Sequence, residues 1–93
     1  MGSHSILARI RSITEKCPNA LNKASLIELV GRRRLLIEHH MGVLAYSLNE
    51  IQIKVSYGKM SVTGNDLYLS QLSCEQLVIH GEIESLQLSG GAK

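Results

Sequence analysis

The sequence predicts a mainly β fold: a short N-terminal amphipathic helix, then about seven or eight short strands in an antiparallel meander or a partly closed barrel or sandwich. Three observations carry this. From Glu50 to Leu88 apolar residues fall on alternate positions, as in Ile51, Ile53 and Val55 against Gln52, Lys54 and Ser56, which marks strands with one buried face. Glycines and polar turn residues interrupt that alternation at short intervals. A helical period occurs near the start, where Ile6, Ile10, Ile13 and Cys17 follow at steps of four, three and four.

The chain of 93 residues is long enough for one domain, near the lower limit for a core without staples. With no Phe or Trp, and with Tyr46, Tyr57 and Tyr68 as its only aromatics, the core must be built from Leu, Ile, Val and Met. Cys17 and Cys74 lie far apart and in no ligand spacing, so the expectation is two free thiols in a reducing cytoplasm. No apolar stretch approaches the ~18 residues of a membrane span, and no signal peptide is visible. Charge is uneven. Residues 1–34 carry seven basic side chains against two acidic ones, and residues 35–93 carry three basic against six acidic. That favours either an anionic partner near the N-terminal part or simply a solvated basic face.

The expected division is a helix and linker over residues 1–24, a β domain over 25–88, and a flexible tail over 89–93. In the helix, Ser5 is a candidate N-cap, and Cys17-Pro18-Asn19 ends the element because the residue before proline resists helical geometry. Its stripe either lies on an anionic membrane surface or packs on the sheet. The candidate contact residues here are Ile6, Arg9, Ile10, Arg11 and Ile13.

Strands are expected over 25–31, 35–39 and 42–47, with Arg32, Arg33 and Arg34 as the turn between the first two. These arginines complete the list of candidate contacts, since guanidinium groups match phosphate oxygens bidentately, although a solvated charge run is the commoner case at a β-turn. His39 and His40 follow on the second strand, where successive side chains diverge, so no metal site is expected of them. Later breaks are expected at Tyr57-Gly58-Lys59, Gly64-Asn65-Asp66, Ser73-Cys74-Glu75 and Gly81. The segments 59–64 and 76–81 share an apolar-x-apolar-x-Gly pattern, so a short β-solenoid is the alternative architecture.

Catalytic patterns are missing from this reading. Asp66 is the one aspartate, no serine sits in a nucleophile elbow, Cys74 has no evident base, and no glycine-rich loop matches a phosphate cradle. The expectation is a protein that is not an enzyme and takes no cofactor.

From Leu29 to Leu88 the chain resembles the YabP/YqfC family of endospore-formation proteins, and its YqfC-like branch most. Three blocks carry the resemblance: Val30-Gly31-Arg32-Arg33 with Ile37 to Val43 and Tyr46; Ile51-Gln52-Ile53 with Gly58 to Gly64 and Leu67-Tyr68-Leu69; and Leu77 to Leu86. It departs from the family at Arg32, where Asn is frequent, at His39, where Asn is common before the His-x-Gly matched by His40 and Gly42, and at Leu88, where an aromatic is frequent. The resemblance implies a small sporulation factor of the mother-cell compartment, cytoplasmic and peripheral at the forespore membrane, acting as an adaptor with an integral membrane protein of the YqfD type. Self-association stays open. The alternative function is a small Sm-like RNA-binding β barrel, since a helix before about five strands fits that order and Val62 to Leu67 is loosely similar to its second motif. The missing Phe and Trp remove the usual stacking platforms, which makes nucleic acid a weaker expectation.

Overall fold

The structure is a computed structural model that describes residues 6–10 and 24–90. Residues 6–10 are helical, and the rest is one six-stranded antiparallel sheet. Its strands are β1 (Leu26–Val30), β2 (Arg34–Glu38), β3 (Val43–Tyr46), β4 (Glu50–Val55), β5 (Gly58–Leu72) and β6 (Gln76–Ser89), in the order β1-β2-β6-β5-β4-β3. Every pairing is antiparallel, which excludes the solenoid, whose stacked coils pair in parallel.

The mainly β, antiparallel reading holds. The strand count differs from expectation because two expected turns are not reversals. Gly64-Asn65-Asp66 lies inside β5 and Gly81 inside β6. Asn65 pairs with Glu82 and Tyr68 with His80, so Asp66 and Leu67 together face Gly81 alone. This is a β-bulge, with Asp66 at φ 55 and Gly81 at φ 133. Further slips fall between Thr63 and Gly64 and between Leu69 and Gln71. The backbones approach closely here: a Cβ on Gly81 would lie 2.6 Å from the Asp66 carbonyl oxygen, and one on Gly64 would overlap that of Glu82. Both positions therefore require glycine for space.

The kinked β5–β6 hairpin is the spine, and its two halves take different neighbours. β2 pairs with Gln76–His80 of β6, whereas β4 pairs with Gly58–Thr63 of β5. The apolar faces of both halves merge into one core. Leu35 and Ile37, Ile51, Ile53 and Val55, Met60 and Val62, Leu67, and Leu77 and Ile79 are all buried in a single cluster. Each fully buried aliphatic side chain contributes roughly 1.5–3 kcal/mol, which compensates for the lack of large aromatics. The sheet closes over itself at the start of β1, where buried Ser25 hydrogen-bonds with Ser56, and the Tyr57 hydroxyl donates to the Ser25 carbonyl at 3.1 Å.

Two further expectations are corrected. His39 is not on the second strand, because β2 ends at Glu38 and His39 turns the chain at φ 60. Its N–H is held by the Glu75 carbonyl at 2.7 Å and its ring by the Ala24 carbonyl. Cys74 is disulfide-bonded rather than a free thiol. It sits exposed in the bend between β5 and β6, where another sulfur can reach it, and Cys17 lies outside the described residues.

Candidate functional site

The β1–β2 turn carries the densest exposed charge among the described residues. Val30 pairs with Arg34, leaving Gly31, Arg32 and Arg33 as the loop, with Gly31 at φ 59 to reverse the chain. Arg34 thus opens β2 rather than belonging to the turn. The loop is fixed to the kink of the spine: the Gly81 N–H donates to the Arg33 carbonyl at 3.2 Å and the Ile83 N–H to that of Arg32 at 2.8 Å. All three arginine side chains are exposed and project from an anchored backbone.

Two shallow clefts of about 270 Å³ each flank this turn. One is lined by Arg33, Asp66, Tyr68, His80 and Glu82, the other by Arg32, Arg33, Glu82 and Glu84. Carboxylates therefore stand beside Arg32 and Arg33, which offsets their pull on a uniformly anionic ligand. Arg34 is placed differently. The register sets Val30, Arg34, His80 and Tyr68 side by side across β1, β2, β6 and β5, with no acid in the row. Along it the rings of Tyr68 and His80 stack, their centroids 5.6 Å apart and their planes inclined by 20°.

Beside the turn, β1 is an edge strand with unusual exposure. Leu26, Leu29 and Val30 are 57%, 44% and 48% exposed, and only Ile27 of its apolar residues packs partly on the core. Leu26 and Val30 lie on the outer face with Arg34, while Ile27 and Leu29 continue the core face. Exposed aliphatic surface joined to fixed arginines is an arrangement suited to binding another macromolecule.

The helix candidates divide. Ile10 is buried and packs with Leu7 against the core, so the buried face runs through Leu7 and Ile10, whereas Ile6 and Arg9 are exposed. Arg11 and Ile13 lie outside the described residues. Among the described residues no helix is long and apolar enough to cross a membrane.

His40 is buried and structural. Its Nδ1 accepts from the Gly42 N–H at 3.2 Å and its Nε2 lies 2.8 Å from the Ser73 carbonyl. Those partners require a neutral ring with the proton on Nε2. Burial lowers its pKa below the usual 6.5, and the Ser73 carbonyl opposes that shift. The His39 ring meets the Ala24 carbonyl and the His40 ring the Ser73 carbonyl, and among the described residues no group of three or more His, Cys, Asp or Glu side chains is placed to hold a metal ion.

Sequence reasoning singled out Arg32 to Arg34 but missed Leu26, Leu29, Val30, Tyr68 and His80 as surface partners. The hydrophobic run of β1 reads only as a strand, and the sheet order places it at the end of the sheet among the described residues.

The model of the YabP family matches residues 22–93. A Bacillus subtilis (strain 168) protein described as "Uncharacterized protein YqfC" is 27% identical over 67 residues, covering 72% of this chain and 72% of that protein. No solved structure matches.

Proposed function

Because the chain belongs to the YabP/YqfC family of sporulation-related proteins, we propose that it is a non-enzymatic adaptor or assembly factor that works with an integral membrane partner of the YqfD type during spore formation. The family is a sporulation protein family and not a known enzyme family. In this reading the protein acts in the mother-cell compartment, peripheral at the forespore membrane.

The observation that carries the proposal is the continuous surface of β1 and the arginine turn. Three apolar side chains of one edge strand stand in solvent next to the exposed Arg32 and Arg33 of a clamped loop and Arg34 at the start of β2. A small domain whose core is already filled by its other strands gains nothing for its own stability from that exposure. The acidic side chains of Asp66, Glu82 and Glu84 around the clefts weigh against a nucleic-acid backbone as the ligand.

The test is co-expression with the membrane partner, detergent extraction and affinity capture of the adaptor, for the wild type and for the triple variant Arg32→Glu, Arg33→Glu, Arg34→Glu. The expected result is capture by the wild type and loss in the variant, with both chains equally folded by circular dichroism. A wild type that fails to capture the membrane partner overturns the proposal. So does tight, salt-sensitive binding of oligonucleotides in place of that capture.

A further inference from the structure

We propose that the free edge of β1 is a strand-addition site that takes an extended segment of the partner, acidic at its N-terminal end and apolar at the positions facing the core side. This rests on the adaptor reading above and specifies how the partner is held.

The direction of the backbone groups comes first. The Ser25 N–H donates to Ser56 Oγ and its carbonyl accepts from the Tyr57 hydroxyl, so both point away from β2. Directions alternate along a strand, so the N–H and C=O of Ile27 and Leu29 also point away, while those of Leu26, Glu28 and Val30 face β2. The β2 side agrees. The His39 N–H and the Arg33 carbonyl bond Glu75 and Gly81 on the β6 side, which leaves Arg34, Leu36 and Glu38 to face β1. Among the described residues, Ile27 and Leu29 therefore present a short ladder of donors and acceptors that no strand pairs with, at the end of the sheet order.

The side chains then say what completes it. Leu29 and the partly buried Ile27 continue the core face, so an added strand meets them with apolar residues. On the outer face Arg34 stands next to Val30, with His80 and no carboxylate on its other side. Neighbouring strands lie about 4.8 Å apart, so a residue opposite Val30 is two strands from Arg34 and within reach of a guanidinium extended over the valine. An acidic residue fits there. Opposite Glu28 a carboxylate is disfavoured, and a hydroxyl or a cation fits. In an antiparallel segment, the orientation of every pairing in this sheet, the acidic residue comes first, as in Glu-Val-Thr-Val-Val.

A second copy of the chain fits less well. The antiparallel register that bonds Ile27 to Leu29 of the other copy, and so uses both ladders fully, places Glu28 against Glu28 and leaves Arg34 without a carboxylate.

The test uses the full chain and blocked synthetic peptides, one containing Glu-Val-Thr-Val-Val and one containing Lys-Val-Thr-Val-Val, titrated by fluorescence polarisation. The acidic peptide is expected to bind about fivefold tighter than the lysine peptide. The variant Leu29→Pro removes an outward N–H and no bond to β2, and is expected to weaken binding roughly tenfold with the fold kept. Should that variant unfold, hydrogen exchange on the wild type replaces it: the amides of Ile27 and Leu29 exchange fast in the free chain and become protected on addition of the acidic peptide. Absence of binding and protection overturns the proposal, as does equal affinity for both peptides. A concentration-dependent dimer that protects the same amides overturns it in favour of self-pairing. Capture of the membrane partner by Leu29→Pro at wild-type level sinks strand addition and leaves the adaptor reading standing. Peptide binding without any capture by the wild type does the reverse.

Discussion

Ser25 and Ser56 exchange a reciprocal pair of hydrogen bonds: the N–H of Ser25 donates to Ser56 Oγ at 3.0 Å, and the N–H of Ser56 donates to Ser25 Oγ at 2.9 Å. The two residues belong to segments that are not neighbours in the sheet order, so this pair fastens one end of the folded sheet over the other. Ser25 Oγ also donates to the His39 carbonyl at 2.7 Å. Replacing Ser25 by Ala strands a donor at Ser56 and an acceptor at His39, and is expected to cost about 1–3 kcal/mol. Urea denaturation of Ser25→Ala, Ser56→Ala and the double variant measures both the cost and the coupling, which should exceed ~0.5 kcal/mol.

His40 makes stability depend on pH in a stated direction. Its folded-state pKa is lowered, so in the range just below the usual 6.5 the unfolded chain binds a proton that the folded chain does not. Its contribution is therefore fully present above about pH 6.5, falls as pH drops below that value, and levels off below the folded-state pKa. The slope can reach at most about 1.4 kcal/mol per pH unit for one proton. Denaturation series at several pH values should show this dependence in the wild type, and His40→Gln should flatten it while lowering stability at neutral pH.

The kink separates glycines that look alike in the sequence. Gly81→Ala sets a Cβ 2.6 Å from a backbone oxygen at φ 133, and Gly64→Ala overlaps another carbonyl, so each is expected to cost more than ~3 kcal/mol or to prevent folding. Gly31 also has positive φ, but nothing lies within 4 Å of its missing Cβ. Gly31→Ala should cost only about 1–2 kcal/mol, and Gly31→Asn less. Thermal melts of the variants rank them directly.

Ile10 and Ile6 occupy one predicted stripe yet have different fates. Ile10→Ala should destabilise by about 2–4 kcal/mol because it empties a buried site, whereas Ile6→Ala should change stability by less than ~0.5 kcal/mol. Equal effects would show that the helical segment does not pack as described, and denaturant midpoints decide it.

Much of this fold was legible in the sequence. The alternation Ile51, Ile53, Val55 and Met60, Val62 reads directly as core-facing strands, and those residues are buried. What was misread as turns had a subtler mark. In β5 the core positions run Met60, Val62, Gly64, then Leu67 and Leu69, then Leu72; in β6 they run Leu77, Ile79, Ile83, then Leu86. Each shift from even to odd or back is a single inserted residue, the signature of a bulge rather than a reversal. Glycine marks both, because chain reversal and close backbone contact need the same missing side chain. The echo between 59–64 and 76–81 proves to be two strands running to the same kink, where Gly64 and Gly81 lie on facing sides of it. The surface was less legible. Edge position depends on which strand pairs with which, and β2 joins β6 rather than β3, a long-range choice that no local pattern encodes. The turn geometry at His39 also explains a local oddity: φ 60 suits asparagine better than histidine, and Asn is the residue common there in the resemblance.

The pairing of β2 with β6 sets an order of events during synthesis. Leu35 and Ile37 meet Ile79 and Leu77 only after some forty further residues have been made, so the first hairpin leaves the ribosome with its apolar side uncovered. Until the last strand arrives, that hairpin is a sticky ribbon with two open edges. The chain's vulnerability to capture by chaperones is thus greatest before the molecule is complete.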